Sequence, residues 1–360
     1  MRVYNFNGGP AAISQSVLER VANETLDWNG TGMSIMENSH RAKEVVDMAN
    51  KVNQDIKELL GLSEEWKVLF CQGGASLQFA MVALNFAPNG APCDYINTGL
   101  WSTKAFLEAK LCGAGARLAA SSEADAFTYI PSEFDFSKDS NYVYLTSNNT
   151  VRGTQWSAFP KNAPAPLIAD FSSDFLSRTV DFSPFALVFA GAQKNLGPAG
   201  LTIVLVRENF LQKGAKNIPH MLDYHTYLEH ESMYNTPPVH AIYVSGLVLD
   251  WLKNSIGGLK AIEKINRAKA ADLYAAIDDS FGFYRGTARK DSRSLMNVTF
   301  RLPSEELEKN FLSLAKKEGM VGLNGHRSVG GIRASLYNAV PVEAVMALIS
   351  FMKEFQKKNG

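Results

Sequence analysis

Six short apolar runs, "KVLFC", "CDYIN", "YVYLTS", "PLIAD", "ALVFAG" and "LTIVLV", fall between residues 67 and 206, mostly separated by helical or glycine-containing segments. None alternates apolar with polar residues, so each predicts a strand covered on both faces, as in a mainly parallel sheet flanked by helices. The intervening segments fit that frame. "SQSVLERVANETLDW" opens with a capping box, Ser16 to Glu19, and "HRAKEVVDMANKVNQDIKELLG" lines Val45, Ala49, Val52, Ile56 and Leu59 along one face before Gly61. After "VHAIYVSGLVLDWLKNSIGG" the pattern becomes strand, helix, strand, helix, in "SLMNVTFRL", "SEELEKNFLSLAKKEG", "GIRASLY" and "PVEAVMALISFMKEFQKK". At 360 residues the chain exceeds one ordinary core, and a large α/β domain followed by a smaller α+β unit is expected.

Charge narrows the partners. Thirty-six basic residues balance thirty-six acidic ones, which is not the basic excess of a nucleic-acid binder. No eighteen-residue apolar window predicts a membrane span, and "MRVYNFNGGPAAIS" does not read as a signal peptide. Cys71, Cys93 and Cys112 have no metal-ligand spacing, so no metal is expected and a reduced, cytoplasmic setting fits.

"VFAGAQKNLGPAGLTIV" sets one lysine, Lys194, among glycines between two apolar runs. Alone, that is compatible with a solvated loop residue. However, "PLIAD" ends in Asp170, twenty-four positions earlier, and ligands of open α/β sheets collect at the carboxyl ends of strands. An amine and a carboxylate converging there suit pyridoxal phosphate: the amine forms a Schiff base with the aldehyde, and the carboxylate keeps the pyridine nitrogen protonated. "KVLFCQGGASLQF" adds a glycine turn opening a helix, where free N–H groups can meet a phosphate; an ordinary βα turn would look the same. Trp101, in "YINTGLWSTKAF", could stack on a flat ring or belong to the core.

With "NFNGGPA", "DWNGTGMSIMENSHR", "ADFSSDFLSR", "YNTPP" and "GHRSVGGIRASLYNAV" added, essentially the whole chain resembles the phosphoserine aminotransferases. The resemblance implies a pyridoxal-phosphate transferase of fold type I, with a mainly parallel seven-stranded sheet in a large domain, residues 16–258, and a small α+β domain, residues 1–15 and 259–360. It gives Lys194 and Asp170 the catalytic roles, with Gln193, Ala75 and Ser76 at the cofactor phosphate, Trp101 on the ring and Thr150 at the ring hydroxyl. Asn235 and Thr236 match residues that reach the phosphate of the neighbouring subunit, which implies a homodimer with shared sites. Arg333 matches the clamp on the substrate α-carboxylate, and His40, Arg41, His326 and Arg327 surround the distal phosphate or carboxylate. The implied substrates are glutamate and phosphohydroxypyruvate or phosphoserine, and phosphohydroxythreonine of vitamin B6 synthesis would fit the same clamps.

Two positions depart from the family pattern: Ser76 stands where some relatives carry an arginine, and Gly8 where some carry a serine. Three rival readings remain at this level. A desulfurase-like lyase needs a mobile nucleophilic cysteine in the substrate loops, and none of the three lies there. A nicotinamide oxidoreductase wants G-x-G-x-x-G after the first strand, which "CQGGASLQF" does not supply. A non-catalytic scaffold would have no need of Lys194, Asp170 and Arg333 together.

Overall fold

The computed structural model describes residues 2–360. Its central sheet has seven strands: β1 (Trp66–Cys71), β2 (Pro92–Asn97), β3 (Gly115–Ser121), β4 (Val143–Thr146), β5 (Leu167–Asp170), β6 (Phe185–Gly191) and β7 (Thr202–Arg207). They lie in the order β1-β7-β6-β5-β4-β2-β3. Only β7 runs against its neighbours, pairing antiparallel with both β1 and β6. β4, β5 and β6 are buried at every residue, which accounts for their unbroken apolar runs.

Helices cover both faces. On one, α1 (Gln15–Asn23) and α2 (Lys43–Leu60) pack with α5 (Val239–Asp250), and Ala49, Val52, Ile56 and Ile242 share a core with Val143, Val188 and Ile203. On the other, α3 (Gly74–Phe86) and α4 (Leu100–Leu111) bring Phe79, Val82 and Ala105 against Tyr95, Tyr144 and Phe189. Two local expectations need correction. α1 starts one residue before Ser16, its N-cap is Ser14, and no side chain caps it; the Ser16–Glu19 box does not form, and Glu19 instead accepts from Gln15 at 2.7 Å. α2 starts at Lys43, so His40 and Arg41 lie in the turn before it. Its C-terminus ends as expected, with Gly61 left-handed at φ 64°.

The C-terminal region holds a second core. β8 (Asn297–Arg301) lies between Arg285–Gly286 and β9 (Ile332–Ser335) in an antiparallel sheet. It is covered by α6 (Leu259–Asp278), α7 (Glu305–Lys317) and α8 (Val342–Asn359), around Leu273, Val298, Phe300, Phe311, Leu348 and Phe355. Phe6 joins this core, because Tyr4–Asn5 pairs parallel with Met320–Val321. On that ground we infer the division into residues 16–258 and residues 1–15 with 259–360. α6 begins at that boundary and bridges the two cores: Leu259 and Ile262 pack in the sheet core, Leu273 and Ile277 in the C-terminal one. No helix among the described residues is long and apolar enough to cross a membrane.

Candidate active site

The parallel strands deliver their carboxyl ends to one edge of the sheet. Asp170 is the last residue of β5 and lies beside Phe189 of β6, five residues before Lys194. Ser172 links the two turns, accepting from the Gly191 N–H at 3.0 Å, while its own N–H donates to Asp170 Oδ1 at 2.8 Å.

The Lys194 amine donates to the Thr150 hydroxyl at 2.7 Å. Burial pushes the amine down to about 8; Asp170 opposes that shift and Arg333 adds to it. Such a drop from 10.5 raises the neutral, nucleophilic fraction near pH 7 about 300-fold. Asp170 itself is held above the ordinary carboxylate range by burial, against the Ser172 hydrogen bonds and the Lys194 charge. Close by, Asp174 is also pushed up by burial, and its Oδ2 accepts from Ser147 at 2.6 Å and Gln155 at 3.0 Å.

Arg333 projects from β9 towards the same place, with one guanidinium nitrogen 3.5 Å from the Thr150 carbonyl. No carboxylate pairs with it among the described residues, and its Nε is buried without a partner. A partly desolvated guanidinium without an acid is an anion receptor. Gly8 makes room for it, since a Cβ there would come within 2.5 Å of Arg333. A serine at that position would therefore displace the arginine rather than sit beside it. Gly9, at φ 122°, lies against the Lys194 stem in the same way, a Cβ there standing 3.1 Å from Cγ.

Gly73 and Gly74, both left-handed at φ 81° and 63°, turn β1 into α3. The N–H groups of Gly74, Ala75 and Ser76 find no acceptor among the described residues, and no acid occupies this first helical turn. These open donors fit a phosphate. Together with a basicity-lowered amine, a buried carboxylate and the half-buried Trp101, they fit pyridoxal phosphate. No group of three metal-ligating side chains occurs among the described residues.

The other expected residues fall into two groups. His326 lies near Arg333: burial lowers its basicity first, and Arg333, Lys104 and Arg327 lower it further. Asn235 and Thr236 stand elsewhere, Asn235 3.5 Å from Gln72 beside the glycine turn and Thr236 3.3 Å from His40, next to the exposed Arg41. Among the described residues no hydrogen bond or ion pair joins His40 or Arg41 to Arg333. Sequence reasoning missed Lys104, whose ammonium lies 4.8 Å from the centre of the Trp101 ring; the signal was its position one helical turn after that tryptophan. It also missed Asp174, four residues after Asp170 in "ADFSSD", and Tyr337, whose hydroxyl donates to the Gly8 carbonyl at 3.1 Å. The cysteines are poor candidates for a lyase nucleophile: Cys71 and Cys93 are buried, Cys112 is half-buried at the end of α4, and burial raises all three thiols, Cys93 to about 11.

The class-V aminotransferase family model matches residues 3–348. Among curated proteins, the phosphoserine aminotransferase of Desulfosudis oleivorans is 54% identical over 359 residues, covering 100% of this chain and 99% of its own. That of Bacillus subtilis is 51% identical, covering 99% of each. Among solved structures, phosphoserine aminotransferase from Bacillus circulans subsp. alkalophilus superposes with a TM-score of 0.97 at 51% identity, over 100% of this chain and 99% of its own. The chain belongs to the class-V aminotransferases and, within them, to the phosphoserine aminotransferase family.

Proposed function

We propose that this chain transfers an amino group reversibly between L-glutamate and 3-phosphohydroxypyruvate, giving 2-oxoglutarate and O-phospho-L-serine, with pyridoxal 5′-phosphate as cofactor. The observation that carries this reading is the convergence of a desolvated Lys194, a buried Asp170 and an acid-free Arg333 at one sheet edge. When bound, the cofactor supplies an electron sink for the substrate Cα and carries the amino group between the two half-reactions.

The protein's own groups do the rest. Lys194 holds the cofactor aldehyde and then takes and returns the Cα proton, a task suited to an amine near 8. Asp170 keeps a proton on the ring nitrogen. With the cofactor bound, Thr150 would meet the ring hydroxyl, Trp101 would stack on the ring, and the N–H groups of Ala75 and Ser76 with Gln193 would hold the phosphate. Arg333 binds the α-carboxylate; His40, Arg41, His326 and Arg327 bind the distal anion. With Ser76 in place of an arginine, that distal clamp rests on the remaining cations.

The exposed position of Thr236 beside His40, next to Asn235, is consistent with a homodimer in which Asn235 and Thr236 serve the partner's site. Mixing an inactive Lys194→Ala chain with an inactive Asn235→Ala/Thr236→Ala chain is then expected to restore activity, because one site in each heterodimer is wild type throughout. No recovery, with heterodimers shown to form, would assign Asn235 and Thr236 to their own subunit's site. A cytoplasmic location fits the three free cysteines, Cys71, Cys93 and Cys112.

The purified protein is expected to absorb visible light through bound cofactor, to lose that absorption in the amino form when glutamate is added, and to recover it with 3-phosphohydroxypyruvate. Steady-state kinetics on phosphoserine and phosphohydroxythreonine rank the two. A colourless protein that pyridoxal phosphate does not restore would refute the assignment.

A further inference from the structure

Lys269 has no part in the roles above, yet it is among the most deeply buried polar side chains, with 1% of its surface exposed. It lies on α6, one turn after Asn266, which is fully buried. No carboxylate pairs with it among the described residues. Its ammonium donates instead to three backbone carbonyls, those of Leu336, Tyr337 and Val340, each at 3.0 Å. All three donors of the group are thereby used on one five-residue turn. Burial alone pushes the amine down to about 7, and these carbonyl dipoles are what favour its charge.

That turn follows β9, the strand that carries Arg333. Two of its hydrogen bonds reach the candidate site, and Asn266 braces it from α6. The Tyr337 hydroxyl donates to the Gly8 carbonyl at 3.1 Å, in the segment that makes room for Arg333. The Asn338 N–H donates to the side chain of Asn195, the residue after Lys194, at 2.9 Å. Asn266 donates to Asn338 Oδ1 at 2.8 Å and to the Ser177 carbonyl at 3.0 Å, tying the same turn to the loop after β5. A lysine on the solvent face of a helix needs none of this, and a turn held only for stability could be packed with apolar groups at less desolvation cost.

We propose that Lys269 is a positioning residue. Its ammonium pins the Leu336–Val340 turn to α6 and thereby sets where the Arg333 guanidinium stands relative to Lys194. The inference rests on the reading of Arg333 as the α-carboxylate clamp.

The test compares the cofactor-loaded Lys269→Met protein, which keeps the stem but has no donors, with Lys269→Gln, which keeps two donors, and with Arg333→Lys. KM for glutamate, kcat, and the dissociation constant of an unreactive dicarboxylate inhibitor are measured on folded, full-length protein. The expected result is that Lys269→Met raises KM and the inhibitor constant together by about tenfold, with a smaller change in kcat. Lys269→Gln falls between it and wild type. A purely structural role would lower the melting temperature and leave both constants of the folded enzyme unchanged; that result overturns the proposal. If neither Lys269 variant yields folded protein, Lys269 is a stability determinant and the proposal also fails. Raised KM in Arg333→Lys with wild-type KM in the Lys269 variants overturns this inference alone, whereas wild-type KM in Arg333→Lys overturns the clamp reading with it.

Discussion

Replacing Lys194 with alanine is expected to lower kcat by at least about 10²–10⁴-fold, the range associated with losing a positioned general acid–base group. The variant should still fold, because Lys194 belongs to no hydrophobic core and its one side-chain hydrogen bond goes to the Thr150 hydroxyl. It should also retain pyridoxal phosphate non-covalently, since the N–H groups at the start of α3 and Asp170 are untouched. Small primary amines added to the assay supply the missing base and should recover part of the rate. The basicity of Lys194 adds a second readout. In the wild-type apoprotein, the rate of covalent cofactor attachment should rise with pH as the neutral amine is populated. It should level off above about 8 rather than near 10.5. Substantial transamination by Lys194→Ala without added amines would remove the lysine from the mechanism, and an attachment rate still climbing at pH 9.5 would remove the argument from burial.

Much of this arrangement was legible because strand ends and apolar runs are local signals. The six runs without alternation became buried strands, and Asp170 and Lys194 stand where two of those strands stop. β3 escaped notice because it is a sheet edge, with Gly115, Leu118 and Ser121 exposed between small buried alanines, so it presents no apolar run at all. The reversal of β7 was readable in principle. Residues 192–201 are too few for the crossover that a parallel neighbour requires, and the chain must turn straight back. The Ser16–Glu19 pattern and the helical start at His40 misled because capping depends on where the preceding turn delivers the chain. Tyr337, Asn195 and Lys269 had no local signal. Their significance comes from contacts spanning 67 to 329 residues for Lys269 and Tyr337, and a lysine on an amphipathic helix ordinarily reads as solvated.

Replacing Asp170 with alanine tests the other half of the pair, and its expected effect is nearly as large. The carboxyl is buried at 4% exposure, and burial is the dominant influence on it, raising it above the ordinary aspartate range. Asp174 pushes it the same way, while the Ser172 N–H and the Lys194 charge restrain it. A carboxylate kept in so unfavourable a place gains most from a cation brought against it, and a protonated pyridine nitrogen is such a cation. Asp170→Ala removes that charge-assisted hydrogen bond, worth about 1.5–3 kcal/mol, so cofactor affinity should fall by roughly 10- to 100-fold. It would also leave the ring nitrogen free to lose its proton, weakening the electron sink that the bound cofactor supplies. The loss in the half-reaction with glutamate, measured at saturating cofactor, should then reach about 10²–10³-fold, comparable to removing one preorganised electrostatic partner. Asp170→Asn separates charge from packing, since it preserves the volume and can still accept the 2.8 Å bond from Ser172. It should resemble alanine in rate and wild type in melting temperature. Near-normal half-reaction rates in both variants, with cofactor bound, would mean that the nitrogen's partner lies elsewhere, and Asp174, four residues on and also buried, would be the next carboxylate to replace.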